Sequence, residues 1–310
     1  MVLLTGATGT VGRALLRRFT AARTPVRCLV RDPRRLGVER VRVQIALGDL
    51  ADPASFRNAL RGVDTVVHLA ASIRDQQRGS LEELNAIATL RLIRAAERAG
   101  ALRFVFFSAI GASLQSPTRF FRAKALARRA VEAAALETTV FAPSIVYSPG
   151  DPWLTLLERC SYLPAMPVSG SGDALYQPIW AEDVADCVVA SLERGGSAEN
   201  GAEDRAAGHR LEGGPLRRSF ELAGPESLTH DEIVRAVLRP LGRRRPLLHL
   251  PRPVVRAALR ALERVAGPAA LATWEEAELL DQPMTSARGT ADAEALGVTP
   301  LRMSAVLGGA

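Results

Sequence analysis

Apolar positions in the first half of the chain fall into two kinds of run. Short β-type segments at 2–5, 26–30, 41–46, 65–69, 104–108 and 139–141 are separated by longer stretches with helical spacing at 13–22, 53–61, 81–98 and 118–136. Strand–helix alternation of this kind predicts a parallel sheet with helices on both faces, joined by right-handed crossovers. The segments VRCLV, TVVHLA and RFVFFS are apolar almost throughout, as a sheet buried on both sides requires.

The rhythm changes near Gly150. Prolines and glycines crowd residues 149–178, and the polar, Gly-rich stretch GGSAENGAEDRAAGHRLEGGP predicts a flexible surface loop over 195–217. Thr229–Glu232 reads as a capping box opening a helix that ends before Pro240. From about Pro253 a basic amphipathic helix follows, with Arg252, Arg256, Arg260 and Arg264 at four-residue spacing opposite Val255, Leu259 and Leu262. That arginine face suits an anionic membrane surface or a partner, or else it is a solvated face whose apolar stripe packs on the body. The pattern divides the chain into an α/β domain over 1–150 and a smaller α+β lobe over 151–310, interleaved with the sheet.

Candidate chemistry begins at Thr5-Gly6-Ala7-Thr8-Gly9-Thr10-Val11-Gly12, which follows the first strand and opens the first helix. Gly6 permits a tight turn, Gly9 lets the backbone approach a pyrophosphate, and Gly12 allows close helix–strand packing. The helix N-terminus adds unpaired N–H groups and the positive end of a dipole. The expected fold is therefore a doubly wound, dinucleotide-binding Rossmann sheet. The second strand ends in Val30-Arg31-Asp32. An acid at that tip suits the ribose diol of NAD, and an arginine suits a 2′-phosphate. Arg31 at the tip, with Arg13 after the third glycine, favours NADP(H) over NAD(H); Arg34 and Arg35, following a proline, either contribute or form a solvated turn.

Charge sharpens this picture. The 310 residues carry 40 basic and 33 acidic side chains, but residues 1–150 hold 23 basic against 11 acidic, while 151–310 hold 17 against 22. No helix-turn-helix, zinc-finger or RNP signature accompanies the basic half, so a polyanionic small molecule is expected rather than nucleic acid. Of the 40 basic residues 39 are arginine, and the single lysine is Lys124. Cys28, Cys160 and Cys187 are odd in number and far apart, which argues against a disulfide framework or zinc ribbon and for a reducing compartment. No apolar run approaches the ~18 residues of a membrane span. The opening MVLLTGATG lacks a basic leader and a cleavage site, so a cytoplasmic location is expected.

On these residues the chain resembles the extended and atypical branches of the short-chain dehydrogenase/reductase superfamily. TGATGTVG, LVRDP, Gly48-Asp49-Leu50, His68-Leu69-Ala70-Ala71, Phe107-Ser108-Ala109, Phe141-Ala142-Pro143-Ser144-Ile145-Val146-Tyr147, Pro178-Ile179-Trp180-Ala181-Glu182-Asp183-Val184-Ala185 and Leu222-Ala223-Gly224-Pro225-Glu226 occur in that family's order. Within it the chain is similar to the NAD(P)H-binding group that includes the dehydrogenase-like accessory subunit of respiratory complex I and its bacterial relatives. The resemblance implies that Asp49 and Leu50 contact adenine, that Leu69, Ala70 and Ala71 line the cofactor groove, and that Pro143 and Ile145 lie by the nicotinamide.

Active members of that superfamily use a Ser or Thr with a Tyr and a Lys spaced YxxxK. The phenol exchanges a proton while the ammonium lowers its pKa and holds the nicotinamide ribose. Here the stretch is Phe120-Phe121-Arg122-Ala123-Lys124, so the lysine is present and the tyrosine position holds Phe120. The serine position falls on Ser108 or on Ala109. Two readings follow: an accessory or sensor protein that retains the dinucleotide, or an oxidoreductase, epimerase or dehydratase-like enzyme. The enzyme would act on a carbonyl or quinone-type substrate and take its proton from Ser108, Tyr147, water or the substrate. The first reading allows contact with a respiratory complex or a peripheral membrane site. His68 in a buried strand reads as a hydrogen-bonded core residue rather than an acid or base, Asp183 as a cap or first-turn charge, and Tyr147 as packing or a stand-in acid. His209, His230 and His249 have no metal-ligand spacing.

Overall fold

A computed structural model describes residues 1–194, 208–209, 215–267 and 270–308. Strands β1 (Val2–Thr5), β2 (Val26–Val30), β3 (Gln44–Leu47), β4 (Thr65–His68), β5 (Arg103–Phe107) and β6 (Glu137–Pro143) alternate with helices α1 (Thr10–Ala21), α2 (Pro53–Phe56), α3 (Ala88–Arg98) and α4 (Arg119–Glu132). After β6 the chain enters β7 (Val146–Tyr147), α5 (Pro152–Cys160), β8 (Met166–Ser169), β9 (Leu175–Tyr176), β10 (Ile179–Trp180) and α6 (Ala181–Arg194). It continues through β11 (Gly208–His209), β12 (Arg217–Leu222), β13 (Leu228–Thr229), α7 (His230–Leu238) and β14 (Leu247–Leu250). It ends with α8 (Arg252–Ala266), α9 (Trp274–Leu279), α10 (Ala291–Ala295) and α11 (Met303–Gly308).

The central sheet runs β11-β12-β6-β5-β4-β1-β2-β3. Seven of its strands are parallel, and β11 is antiparallel at the edge beside β12. This is the doubly wound sheet that the strand–helix alternation predicts. Period-two alternation divides each strand between two cores. Val2 and Leu4 of β1, with Val105 and Phe107 of β5, face a cluster completed by α1, α6 and α10. Leu3, Phe104 and Phe106 face the opposite cluster, built with α2, α3 and α4. A third cluster of Tyr147, Leu154, Met166, Tyr176, Ile233 and Val234 forms the core of the lobe.

Several boundaries differ from the pattern-based expectation. The strand expected over 41–46 is β3, displaced toward Leu47, and 3₁₀ turns occupy Pro33–Val41 before it. The cause is local. Gly37 breaks the turn at φ +62, and Val38 and Val41 are exposed rather than in the sheet. Expected helix 53–61 is α2 followed by a 3₁₀ turn, Arg57–Leu60. Expected helix 81–98 opens with a π-type turn, Glu83–Ile87, before α3. The Asn85 side chain of that turn is buried and bonds the backbone of Ser72 and Leu81. Strand β6 runs two residues further at each end than 139–141, because Arg217–Leu222 pairs with Thr138–Pro143 and Arg103 of β5 pairs with Glu137. Most of the loop expected over 195–217 lies outside the described residues. Arg217 itself starts β12.

Candidate functional site

The glycine turn links β1 to α1 under tight steric constraint. Gly6 sits at φ +74, and a Cβ there would lie 2.6 Å from the Ala70 nitrogen. A Cβ on Gly12 would lie 2.1 Å from the Gly6 oxygen, so α1 presses directly on the loop. Gly9 is the N-cap of α1; no side chain caps the helix and its first turn holds no acid. The first-turn N–H groups and the helix dipole are thus turned toward the cleft with nothing anionic of the protein's own.

A cleft of about 390 Å³ opens at this turn, along the C-terminal ends of β1, β2 and β4. Gly6, Thr8, Gly9, Arg31, Asp49, Leu50, Leu69, Ala70 and Ala71 line it, as do Ala7, Leu29, Val30, Asp32, Arg35, Gly48, Ser72, Gln76 and Leu84. At the β2 tip Arg31 donates to the Gln76 Oε1 at 3.1 Å. The Asp32 carboxylate caps the following 3₁₀ turn and is paired with the Arg34 guanidinium at 3.0 Å. That hydrogen bond is the main reason its pKa lies below the ordinary carboxylate value. Asp49 holds Ala51 N–H and faces Arg78 at 3.7 Å. Segment 72–80 therefore arches over the cleft, contributing Ser72 and Gln76 to its wall and Arg78 to its rim.

The inner end of the strands holds a buried polar cluster. Thr89 donates its hydroxyl proton to the Asn85 carbonyl (2.6 Å), so the 2.9 Å contact with His68 Nε2 requires that nitrogen to be the donor. His68 Nδ1 then accepts from the Thr5 hydroxyl at 2.7 Å. Burial first, and then the nearby Lys124 charge, hold the imidazole neutral, its pKa pushed down to about 3. Lys124, buried on α4, donates from Nζ to the Phe107 carbonyl at 2.6 Å. Its ammonium stands 5.1 Å from the Phe106 ring centroid and 5.7 Å from that of Phe120. With no carboxylate beside it among the described residues, burial pushes its pKa down to about 7. Ser108 follows directly, its Oγ buried and without a hydrogen-bond partner among the described residues.

The remaining expected residues lie around this frame. Thr10, Val11 and Gly12 form the first turn of α1. Pro143 ends β6, and its carbonyl accepts from Ile110 N–H. Ile145 packs against the core of the lobe, outside the cleft walls. Arg13 is exposed on α1 and Arg34 is committed to Asp32, so neither borders the cleft, whereas Arg35 does. Tyr147 is fully buried in the lobe, with its hydroxyl unpartnered among the described residues and its pKa raised by burial. Asp183 accepts from Leu301 N–H, tying α6 to the C-terminal segment. The capping box at Thr229 and Glu232 is formed, with both reciprocal bonds present. Ser72, Gln76 and Leu84 come from irregular or π-type backbone that carries no periodic signal. Gly48 is the exception that a close reading finds: a Cβ there would meet Leu29 at 2.8 Å and Ser55 at 3.0 Å.

Comparison with known proteins agrees with this geometry. Residues 6–195 match the family model described as NAD(P)H-binding. The chain is 27% identical over 263 residues to the mitochondrial NADH dehydrogenase [ubiquinone] 1 alpha subcomplex subunit 9 of Arabidopsis thaliana, covering 81% of this chain and 60% of that subunit. It is 27% identical over 262 residues to a ceramide reductase of Caulobacter vibrioides, covering 83% of this chain and 76% of the reductase. Among solved structures, an NADPH-dependent quinone oxidoreductase from Escherichia coli complexed with NADPH superposes with a TM-score of 0.71 at 17% identity, over 99% of this chain and 98% of that one. That likeness speaks to the fold alone. With the glycine turn, the cleft and the family match in register, the chain belongs to the NAD(P)H-binding family of Rossmann-fold proteins.

Proposed function

We propose that the chain is an NADP(H)-binding accessory or redox-sensing protein that keeps the dinucleotide grip of its superfamily without the tyrosine acid. The observation that carries this reading is Phe120. Its ring stands 5.7 Å from Lys124 Nζ, at the motif position where a phenol would share a proton, and it has none to give. In this reading Gly6, Thr8, Gly9, Thr10, Val11 and Gly12 receive the pyrophosphate. Asp49 and Leu50 take the adenine, while Leu69, Ala70 and Ala71 form the groove. Lys124 holds the nicotinamide ribose, with Pro143 and Ile145 at the edge of the ring. Arg31 and Arg35 border the cleft while Arg34 engages the one acid at the β2 tip, which supports a 2′-phosphate over a free ribose diol. When bound, the dinucleotide supplies a hydride donor or acceptor. The chain's own residues bind and orient it. A multi-subunit redox partner accords with the name of the plant relative, and three unpaired thiols accord with a cytoplasmic setting.

A second reading, a reductase of carbonyl or quinone-type substrates or an epimerase-like enzyme, has one observation in its favour. The Ser108 hydroxyl is buried and, among the described residues, unpartnered, beside the carbonyl that holds Lys124. One assay separates the two. The accessory reading expects NADPH to bind while quinone and simple carbonyl acceptors leave it unconsumed. Steady NADPH oxidation that disappears in Lys124→Ala overturns it. Turnover appearing only in Phe120→Tyr identifies a disabled reductase site.

A further inference from the structure

Helix α8 is 15 residues long and none of them is buried. At 3.6 residues per turn, Arg252, Arg256, Arg260 and Arg264 wind down one side. Val254, Ala258, Ala261 and Val265 run along the adjoining side, with Leu262 at its margin. The inward side is marked by half-buried Val255 and Leu259, and by Glu263, whose Oε1 accepts from Trp274 N–H at 2.7 Å. The expected apolar stripe is thus divided: part of it rests on the body, and Val254 and Val265 are 54% and 89% exposed. Helix α8 therefore shows the surroundings an arginine stripe and an apolar stripe side by side.

The charge on this helix is local. Residues 151–310 hold 17 basic and 22 acidic side chains, yet α8 carries four arginines and one glutamate. Arg252 pairs with Asp281 at 3.0 Å, and Arg256 lies 5.6 Å over the Trp274 ring. Among the described residues, Arg260 and Arg264 have no ion pair. Together with Trp274, Arg252, Arg256 and Arg260 border an open concavity of about 540 Å³.

We propose that α8 is an interfacial anchor that lies in the plane of an anionic lipid bilayer surface. The arginines reach lipid phosphates, and Val254, Leu262 and Val265 enter the boundary between headgroups and acyl chains. Helices that bind in this plane separate their apolar and charged side chains sharply, stay only modestly apolar overall, and set arginine beside the apolar face. A protein partner fits less well. The exposed apolar side chains of α8 are alanine, valine and leucine, suited to shallow insertion, with none of the aromatic anchors that protein interfaces bury in pockets. The surface also connects inward. Asp281, paired with Arg252, belongs to the segment whose Met284 carbonyl accepts from the Ser144 hydroxyl at 2.6 Å, next to Pro143 at the end of β6.

The test is co-sedimentation of the full chain with two kinds of vesicle, phosphatidylcholine alone and phosphatidylcholine mixed with phosphatidylglycerol. Binding to the anionic vesicles at least about tenfold tighter than to the neutral ones, weakening as salt is raised, is expected. The double variant Arg260→Glu, Arg264→Glu should lose about tenfold or more of that binding. Val254→Ser with Val265→Ser, which leave the charge unchanged, should weaken it while leaving its salt dependence in place. Both variants alter only unburied positions, and an unchanged thermal melt certifies their folding. Equal or absent binding to the two vesicle types overturns the proposal. So does binding unmoved by either variant, or a solution dimer that Arg260→Glu breaks.

Discussion

Lys124 is a cation held away from water with one hydrogen-bond acceptor, the Phe107 carbonyl, and two aromatic faces. Three N–H donors and one acceptor leave the group under-satisfied, which is costly in a buried place. Its pKa falls from 10.5 to about 7 in the folded chain, so between those values the unfolded state holds more protons. Stability of the parent protein should therefore rise as pH increases from about 7 toward 10, a slope that thermal melts across that range will read. Lys124→Met should flatten the slope and raise the melting temperature of the free protein. It should also weaken NADPH binding by roughly tenfold or more, as expected on losing a charge-assisted hydrogen bond. Gain in stability with loss of binding would mark the lysine as kept for its ligand. Arg31→Ala should reduce NADPH affinity by roughly tenfold while leaving NADH nearly unchanged, as titrations of both nucleotides would show. The importance of Lys124 is legible in the sequence, because one lysine among 39 arginines falls in a known motif. Its contact with Phe106 is not, because only the register of β5 decides that Phe106 and not Phe107 faces α4.

At the scale of elements, the turn between β1 and α1 works because two backbone segments touch where a side chain would stand. Gly12→Ala puts a Cβ 2.1 Å from a backbone oxygen, and neither the loop nor α1 can withdraw without disturbing β1. We expect a loss of roughly 1–3 kcal/mol in stability and of detectable nucleotide binding, measured by denaturant unfolding and by titration. The arch over the cleft depends on α4. Arg119 at the first position of that helix bonds both Asp75 (3.0 Å) and Glu82 (2.6 Å), with Glu275 of α9 at 3.8 Å. Arg119→Ala should leave the sheet intact, speed tryptic cleavage at Arg74 and Arg78, and quicken release of the nucleotide severalfold. The glycine turn is legible because three glycines at fixed spacing have few other uses. The arch is not: its residues have no periodicity, and Arg119 looks like any other arginine at the start of a helix.

For the whole molecule, helices far apart in sequence are fastened together on one face of the sheet. Arg17 and Arg18 of α1 pair with Glu182 of α6, and Arg18 also holds Asp186 at 2.6 Å. On the opposite face of the sheet His68 is kept neutral, its pKa near 3 against 6.5 when unfolded. As pH falls below about 6.5 the unfolded chain takes up a proton that the folded chain refuses, so stability should decline steadily toward pH 3. His68→Gln should lessen that decline, read as melting temperature against pH. Alternation in the first 150 residues makes the doubly wound sheet legible in advance. The origin of its seventh parallel strand is not, because Arg217–Leu222 directly follows a polar, glycine-rich stretch and only its pairing with β6 marks it as a strand.

That late strand sets an order on synthesis. When a ribosome has released residue 150, β6 is complete and its outer edge is bare along the six positions that will later pair with Arg217–Leu222. More than sixty further residues must be translated before the gap closes, and until then the nascent sheet offers an apolar rim to any neighbouring chain. A stop codon after residue 150 should yield aggregates or chaperone-bound fragments, even though the glycine turn and Lys124 are already present. Extension beyond Leu222 should be the first length at which the fragment comes out soluble.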